Sequence, residues 1–148
     1  MKKFVFKLAS VRHHREMVRD REQQHLQALD VTLETARQRL AELERERAQA
    51  QQQTAEVGVP SSADEVLLRA QYLERLRLRI AAAKQEVARL ERDLATQRQR
   101  TLEAEQRLEV INQLGERQRD AHHRAEERET QTIADEMSAL RSARSRRP

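Results

Sequence analysis

Apolar residues along this chain recur at alternating steps of three and four. From Leu73 onward they fall at Leu73, Leu76, Ile80, Ala83, Val87, Leu90 and Leu94. Earlier in the chain Leu26, Leu29, Leu33, Ala36, Leu40 and Leu43 keep the same rule. Between the two runs stands Gly58-Val59-Pro60-Ser61-Ser62. A seam of two apolar positions in seven predicts coiled-coil helices. One break between two such seams predicts that the second helix folds back along the first. The expected fold is therefore all-α: a long two-helix antiparallel coiled-coil hairpin with an overhanging C-terminal helix.

Helix 1 is expected over about 4–57, roughly 80 Å at 1.5 Å per residue. Gly58 suits the position just past a helix C-terminus, and Pro60 prevents continuation. Ser62, with Glu65 three residues on, reads as a capping box that opens helix 2. The turn is then 58–62, helix 2 runs over about 63–140, roughly 115 Å, and a basic tail fills 141–148. The whole is expected to be a single coiled-coil rod. Folding at the turn sets Leu43 opposite Leu76, Leu40 opposite Ile80, Leu33 opposite Val87, Leu29 opposite Leu90 and Leu26 opposite Leu94. Further out, Val11 faces Leu108, Leu8 faces Ile111 and Phe4 faces Gly115.

The arms differ in length, so everything after Gly115 is expected to lack a partner within the chain, and residues 122–123 are expected to lie beyond residue 1. Ile133, Met137 and Leu140 form a short apolar stripe there at helical spacing. A lone helix of this kind is marginal in water, so ordering on a partner is one reading and a frayed tail the other. Gly115 inside a helix costs about 1 kcal/mol relative to alanine. Its place suggests a kink or a close contact with Phe4 or Phe6. Between Val18 and Leu26 the apolar letters lose phase, with Glu22 and His25 at seam positions. That predicts a stutter, opposite Gln97, Thr101 and Ala104, with His25 in a polar layer.

Composition agrees with a rod. Charged residues make up 36% and aromatics 2%, with only two glycines and two prolines in 148 residues, the profile of long helices rather than a globule. There are no cysteines, which excludes disulfides and thiolate metal sites. No apolar run approaches the ~18 residues that span a bilayer. The start Met1-Lys2-Lys3 mimics a signal peptide, but Lys7 and Arg12 interrupt the apolar stretch that such a peptide needs. The expectation is a cytoplasmic protein.

Charge is unevenly placed. Residues 1–21 hold seven Lys or Arg against Glu16 and Asp20, and residues 141–148 hold four Arg and no acid. Folding back at the turn brings both termini to one pole, which is basic while the shaft is mildly acidic. That pole is either a solvated end or a docking end for an acidic partner.

Little else carries chemistry. His13-His14 and His122-His123 are adjacent pairs that point about 100° apart on a helix, so neither chelates as a unit, and no metal or cofactor is expected. The carboxylates are scattered among arginines as solvated ion pairs, as at Glu42, Arg45 and Glu46. No phosphate loop or nucleophile elbow is present, so no enzyme is expected. Twenty-five arginines keep nucleic acid in view, but acids follow the N-terminal basic block closely, and no aromatics are placed to stack on bases. No nucleic-acid partner is expected.

The opening Phe4-x-Phe6-x-Leu8-x-x-Val11 with Arg15 and Glu16 resembles the start of the flagellar export protein FliJ family. So do the plan of two helices about a mid-chain turn and the C-terminal Ala125-Glu126-Glu127-Arg128-Glu129 with Ile133-Ala134-Asp135-Glu136. The resemblance implies a non-enzymatic stalk of the flagellar type III export apparatus, similar to the coiled coil of the ATP synthase γ subunit. It implies an end that enters a hexameric export ATPase, on which Phe4, Phe6, Gly115, Arg117, Ile133, Met137, Leu140 and Arg141 would act. It implies a contact of the turn-proximal shaft with the cytoplasmic domain of the export gate, through Tyr72 and Leu76 with Leu43 opposite. Export chaperones are further partners, and attachment to the cytoplasmic face of the inner membrane is through partners only. The alternatives are the matching stalk of a virulence secretion system and a generic coiled-coil scaffold or nucleic-acid-binding protein.

Overall fold

The computed structural model describes residues 3–56 and 62–145. It contains two helices, α1 (Ala9–Glu56) and α2 (Ala63–Ser145), of 48 and 83 residues, and no strand among the described residues. The turn expected at 58–62 lies, apart from Ser62, outside the described residues, as does the end of the basic tail at 146–148. Ser62 does cap α2. Its hydroxyl accepts the Glu65 N–H at 3.3 Å, which satisfies one of the first-turn donors that a helix leaves open. The second helix continues through Arg141 to Ser145, so most of the expected tail is helical.

Contacts divide the chain into two compact units, Met1–Asp20 with Glu103–Pro148, and Arg21–Leu102. In the second unit two apolar clusters hold α1 to α2. Leu33, Leu90 and Leu94 are buried together, with Leu26, Leu29, Ala36 and Val87 packed around them. Leu43, Leu76 and Ile80 form the other, flanked by Leu40, Ala50 and Ala83. As residue numbers rise on α1 they fall on α2, so the two helices of this unit run in opposite directions. Ion pairs between the helices keep the same sense: Asp30 with Arg98 at 4.0 Å, Arg37 with Glu91 at 2.7 Å and Glu44 with Lys84 at 3.1 Å.

Burial along each helix keeps the heptad rule more strictly than the apolar letters do. From Leu8, just before α1, the covered positions Leu8, Arg12, Arg15, Arg19, Glu22, Leu26, Leu29 and Leu33 follow steps of four and three, with Glu16, Val18 and Gln23 half-covered beside that line. The stutter expected between Val18 and Leu26 is absent. Its appearance came from reading His25, Leu29 and Leu33 as successive seam residues. Val11, expected on the seam, is exposed, whereas Arg12, Arg15 and Arg19 are half-covered, a position that the long aliphatic stem of arginine allows. His25 is likewise exposed and belongs to no layer. The polar layer is made by Glu22. Buried Gln97 donates to the Glu22 carbonyl at 3.2 Å and to its carboxylate, and Thr101 packs beside it, donating to the Gln97 carbonyl at 3.0 Å.

In the first unit Ala104, Leu108 and Gly115 are buried. The chain before Ala9 is not helical, which corrects the expected start at residue 4. From Lys3 to Leu8 exposure alternates residue by residue, with Phe4, Phe6 and Leu8 covered and Lys3, Val5 and Lys7 exposed. Over Lys3–Phe6 that is the two-residue period of extended chain, and Lys7 and Leu8 turn into the helix. The Phe-Val-Phe pattern, aromatic and β-branched, favours the extended stretch. The Ala9 N–H bonds back to the Phe6 carbonyl at 3.2 Å as the helix begins.

Candidate partner-binding site

The extended segment delivers two aromatic rings to α2. The Phe6 ring lies 3.5 Å from where a Gly115 Cβ would stand, so the close contact expected at this glycine is made by Phe6. The Arg12 guanidinium sits 5.9 Å from the Phe6 ring centroid, within cation–π range. Phe4 reaches farther than expected and meets His122 edge-on, with ring centroids 5.5 Å apart. An extended residue advances about 3.3 Å against 1.5 Å on a helix. Two residues of extended chain plus their rings therefore bridge the seven helical residues from Gly115 to His122. Residue 122 consequently lies within reach of the N-terminal segment rather than beyond it. A shallow recess beside these rings is flanked by Arg12 and Arg119, with Glu109 and Glu116 as counter-charges.

Past His122 the helix leaves this contact. The His122 and His123 imidazoles face Glu126 and Glu127 one turn on, at 3.6 and 3.2 Å. From Glu127 to Ser142 every residue is exposed. Ile133, Met137 and Leu140 are 52%, 51% and 68% exposed, which for three large apolar groups at one helical spacing is a face without cover. The covered positions of α2, at Leu94, Gln97, Thr101, Ala104, Leu108, Ile111, Gly115 and His122, would continue through Ala125, Glu129, Thr132 and Glu136. The apolar stripe stands one residue off that line, about 100° around the helix. Half-covered Glu126, rather than exposed Ala125, is in phase with the stripe.

Of the residues expected to act together at this end, the structure joins Phe6 and Gly115, with Phe4 one contact away at His122. Arg117 is exposed. Ile133 begins some 27 Å farther along the helix axis than Gly115, at 1.5 Å per residue, and Met137, Leu140 and Arg141 follow it.

The other expected contact lies in the second unit. Leu43 and Leu76 are core residues there, Leu76 only 1% exposed, and neither offers a side chain to a partner. Tyr72 is partly exposed, and its hydroxyl donates to the Glu46 carboxylate at 2.6 Å. That bond raises the phenol pKa above its ordinary value. Arg77 likewise holds the Glu74 carboxyl below the usual range through a two-pronged hydrogen bond. Val66, Leu67 and Leu68 are exposed in the first turns of α2; Val66 stands on the heptad line seven residues before Leu73, and Leu67 and Leu68 stand off it.

No group of three or more His, Cys, Asp or Glu among the described residues is placed to hold a metal ion, and no described helix is long and apolar enough to cross a membrane.

The family model described as flagellar FliJ protein matches residues 3–147. The chain belongs to the FliJ family. No curated protein and no solved structure matches it. As a FliJ family member it is a component of the flagellar export apparatus, and the match takes in both the two-ring contact and the exposed stripe. Three features of this FliJ chain escaped the apolar pattern: the non-helical 3–8 segment, His122 as the Phe4 partner, and the half-covered arginines on the α1 seam. The first had a signal, the period-two alternation from Lys3 to Leu8. The arginines had none beyond their steps of four and three.

Proposed function

We propose that the chain is a non-enzymatic stalk of the flagellar export apparatus, and that its termini-bearing end enters the central opening of a hexameric export ATPase. The observation that carries this reading is the helix beyond His122, with its uncovered Ile133–Met137–Leu140 stripe out of phase with the seam and arginines at 141 and 144 following it. A helix that keeps three large apolar side chains in water over about two turns is suited to a partner that surrounds it. Phe4, Phe6 and Gly115 brace the base of that helix, and Arg117 and Arg141 supply positive charge toward an acidic lining. In the second unit Tyr72, with the exposed Leu67 and Leu68 close by in sequence, is the contact for the cytoplasmic domain of the export gate. Leu43 and Leu76 support it from within the core. Export chaperones are further partners, and the site of action is the cytoplasmic face of the inner membrane.

The test is a truncation that removes residues 127–148 and keeps the Phe4–His122 contact. The shortened chain should keep its helical circular dichroism and fail to stimulate the cognate export ATPase. Stimulation equal to that of the full chain would overturn the assignment of the docking end.

A further inference from the structure

The stripe has a property that entry in a ring does not require. Read as a seam, it comprises Glu126, Thr130, Ile133, Met137, Leu140 and Arg144, in steps of four and three. Its acid is at one end and its base at the other. Glu127 flanks the acidic end and Arg141 the basic end. All of these residues are exposed in the structure except Glu126, which is half-covered. A helix with this distribution is complementary to itself when reversed.

We propose that the segment 126–144 pairs with the same segment of a second copy of this chain, antiparallel. In that pairing Ile133 packs on Met137 of the second copy, Thr130 on Leu140, and Glu126 meets Arg144. Glu127 and Arg141 face each other along one flank. Ala134 lies on the two-fold axis, small enough to let the backbones approach. Six large apolar side chains are then covered by the two copies. A parallel pair is disfavoured, because Glu126 would meet Glu126 and Arg144 would meet Arg144. One contact opposes the antiparallel dimer: Glu136 faces its own copy across the axis. The complex is therefore weak and adjustable, and it hides the stripe until another partner takes it. Self-pairing and entry in a ring exclude each other, but the pairing stands on this chain alone.

Analytical ultracentrifugation of the purified full-length chain, at up to about 1 mM so that a millimolar contact registers, tests the proposal. The chain should pass from monomer to dimer as concentration rises. Met137→Asp should abolish the dimer, and Glu136→Gln should tighten it several-fold. Reversing one end (Arg141→Glu with Arg144→Glu) should abolish it as well. Reversing the other end in the same chain (Glu126→Arg with Glu127→Arg) should restore it. All these changes lie on exposed or half-covered positions, and an unaltered circular dichroism spectrum would show the helix intact. A chain that stays monomeric over the whole range overturns the proposal. So does a dimer indifferent to Met137→Asp, or a four-fold swap that fails to restore pairing.

Discussion

Arg37 and Glu91 meet across the two helices at 2.7 Å, and one heptad to either side the same contact recurs with its sign reversed. Asp30 faces Arg98 and Glu44 faces Lys84. Each of these exposed pairs contributes little by itself, yet together they fix the register. A slip of one heptad would set Asp30 against Glu91 and Arg37 against Lys84 or Arg98, like charge against like. The ladder thus acts against the alternatives a repeating apolar seam permits. Arg37→Glu should lower the melting temperature slightly, and Arg37→Glu with Glu91→Arg should recover it. Thermal unfolding of the single and double variants checks this, and a double variant no better than the single would refute the ladder.

Leu76 is the most deeply buried side chain of the second unit. Leu76→Ala should cost about 2–5 kcal/mol, as large-to-small changes in a packed core do. Ile133→Ala, in water already, should cost almost nothing in the same denaturant titration. Equal losses at the two positions would contradict the assignment of core and uncovered face.

Gly115 is helical and has the Phe6 ring at ordinary contact distance from its missing Cβ. Alanine therefore fits, and its better helix propensity should make Gly115→Ala neutral to about 1 kcal/mol stabilising. Leucine should instead displace Phe6 and lower stability. Denaturant midpoints for the two variants distinguish a glycine that admits a ring from one that serves only as a weak point.

Glu22, Gln97 and Thr101 make a polar layer in the second unit. Gln97→Ala should destabilise by about 1–3 kcal/mol, because it takes away the Gln97 amide that donates to the Glu22 carboxylate. Replacing both residues by leucine should raise the melting temperature while loosening the choice of register, as polar layers in apolar seams commonly specify pairing at some cost in stability. Melting curves and native mass spectra of the double variant would show both effects.

Tyr72 gives a dependence on pH. Its phenol pKa is raised, first by the hydrogen bond to Glu46 and then by burial. A group whose folded pKa lies above its unfolded value contributes stability that is fully present below the unfolded pKa of about 10. That contribution is lost as pH rises through the folded value. Absorbance at alkaline pH should show Tyr72 titrating late, and Glu46→Gln should bring the transition back toward that of free tyrosine. An unchanged transition would mean that the Glu46 contact does not form in solution.

The fold was largely legible in the sequence, because a leucine seam and a Gly-Pro break report period and reversal directly. The apolar letters could find Leu33 with Leu90 and Leu43 with Leu76. They could not find a seam whose covered residues are Arg12, Arg15 and Arg19, since arginine covers a core with its stem and advertises only its charge. The same reading placed Val11 inward and inferred a stutter that the helix does not have. Helix-forming neighbours masked the non-helical run from Lys3 to Leu8, although its alternation was visible. The stripe at Ile133, Met137 and Leu140 was apparent as a pattern. That it stands off the line of the seam was not, because phase is fixed only once the covered positions up to His122 are known.

The docking end is tested most directly by a photo-activatable cross-linker placed at position 137 and, in a second chain, at position 31, where Val31 is exposed on α1. After illumination with the assembled export ATPase, position 137 should yield a cross-link to residues lining the ring's central opening and position 31 should yield none. A cross-link from position 31 together with silence at 137 would contradict the account.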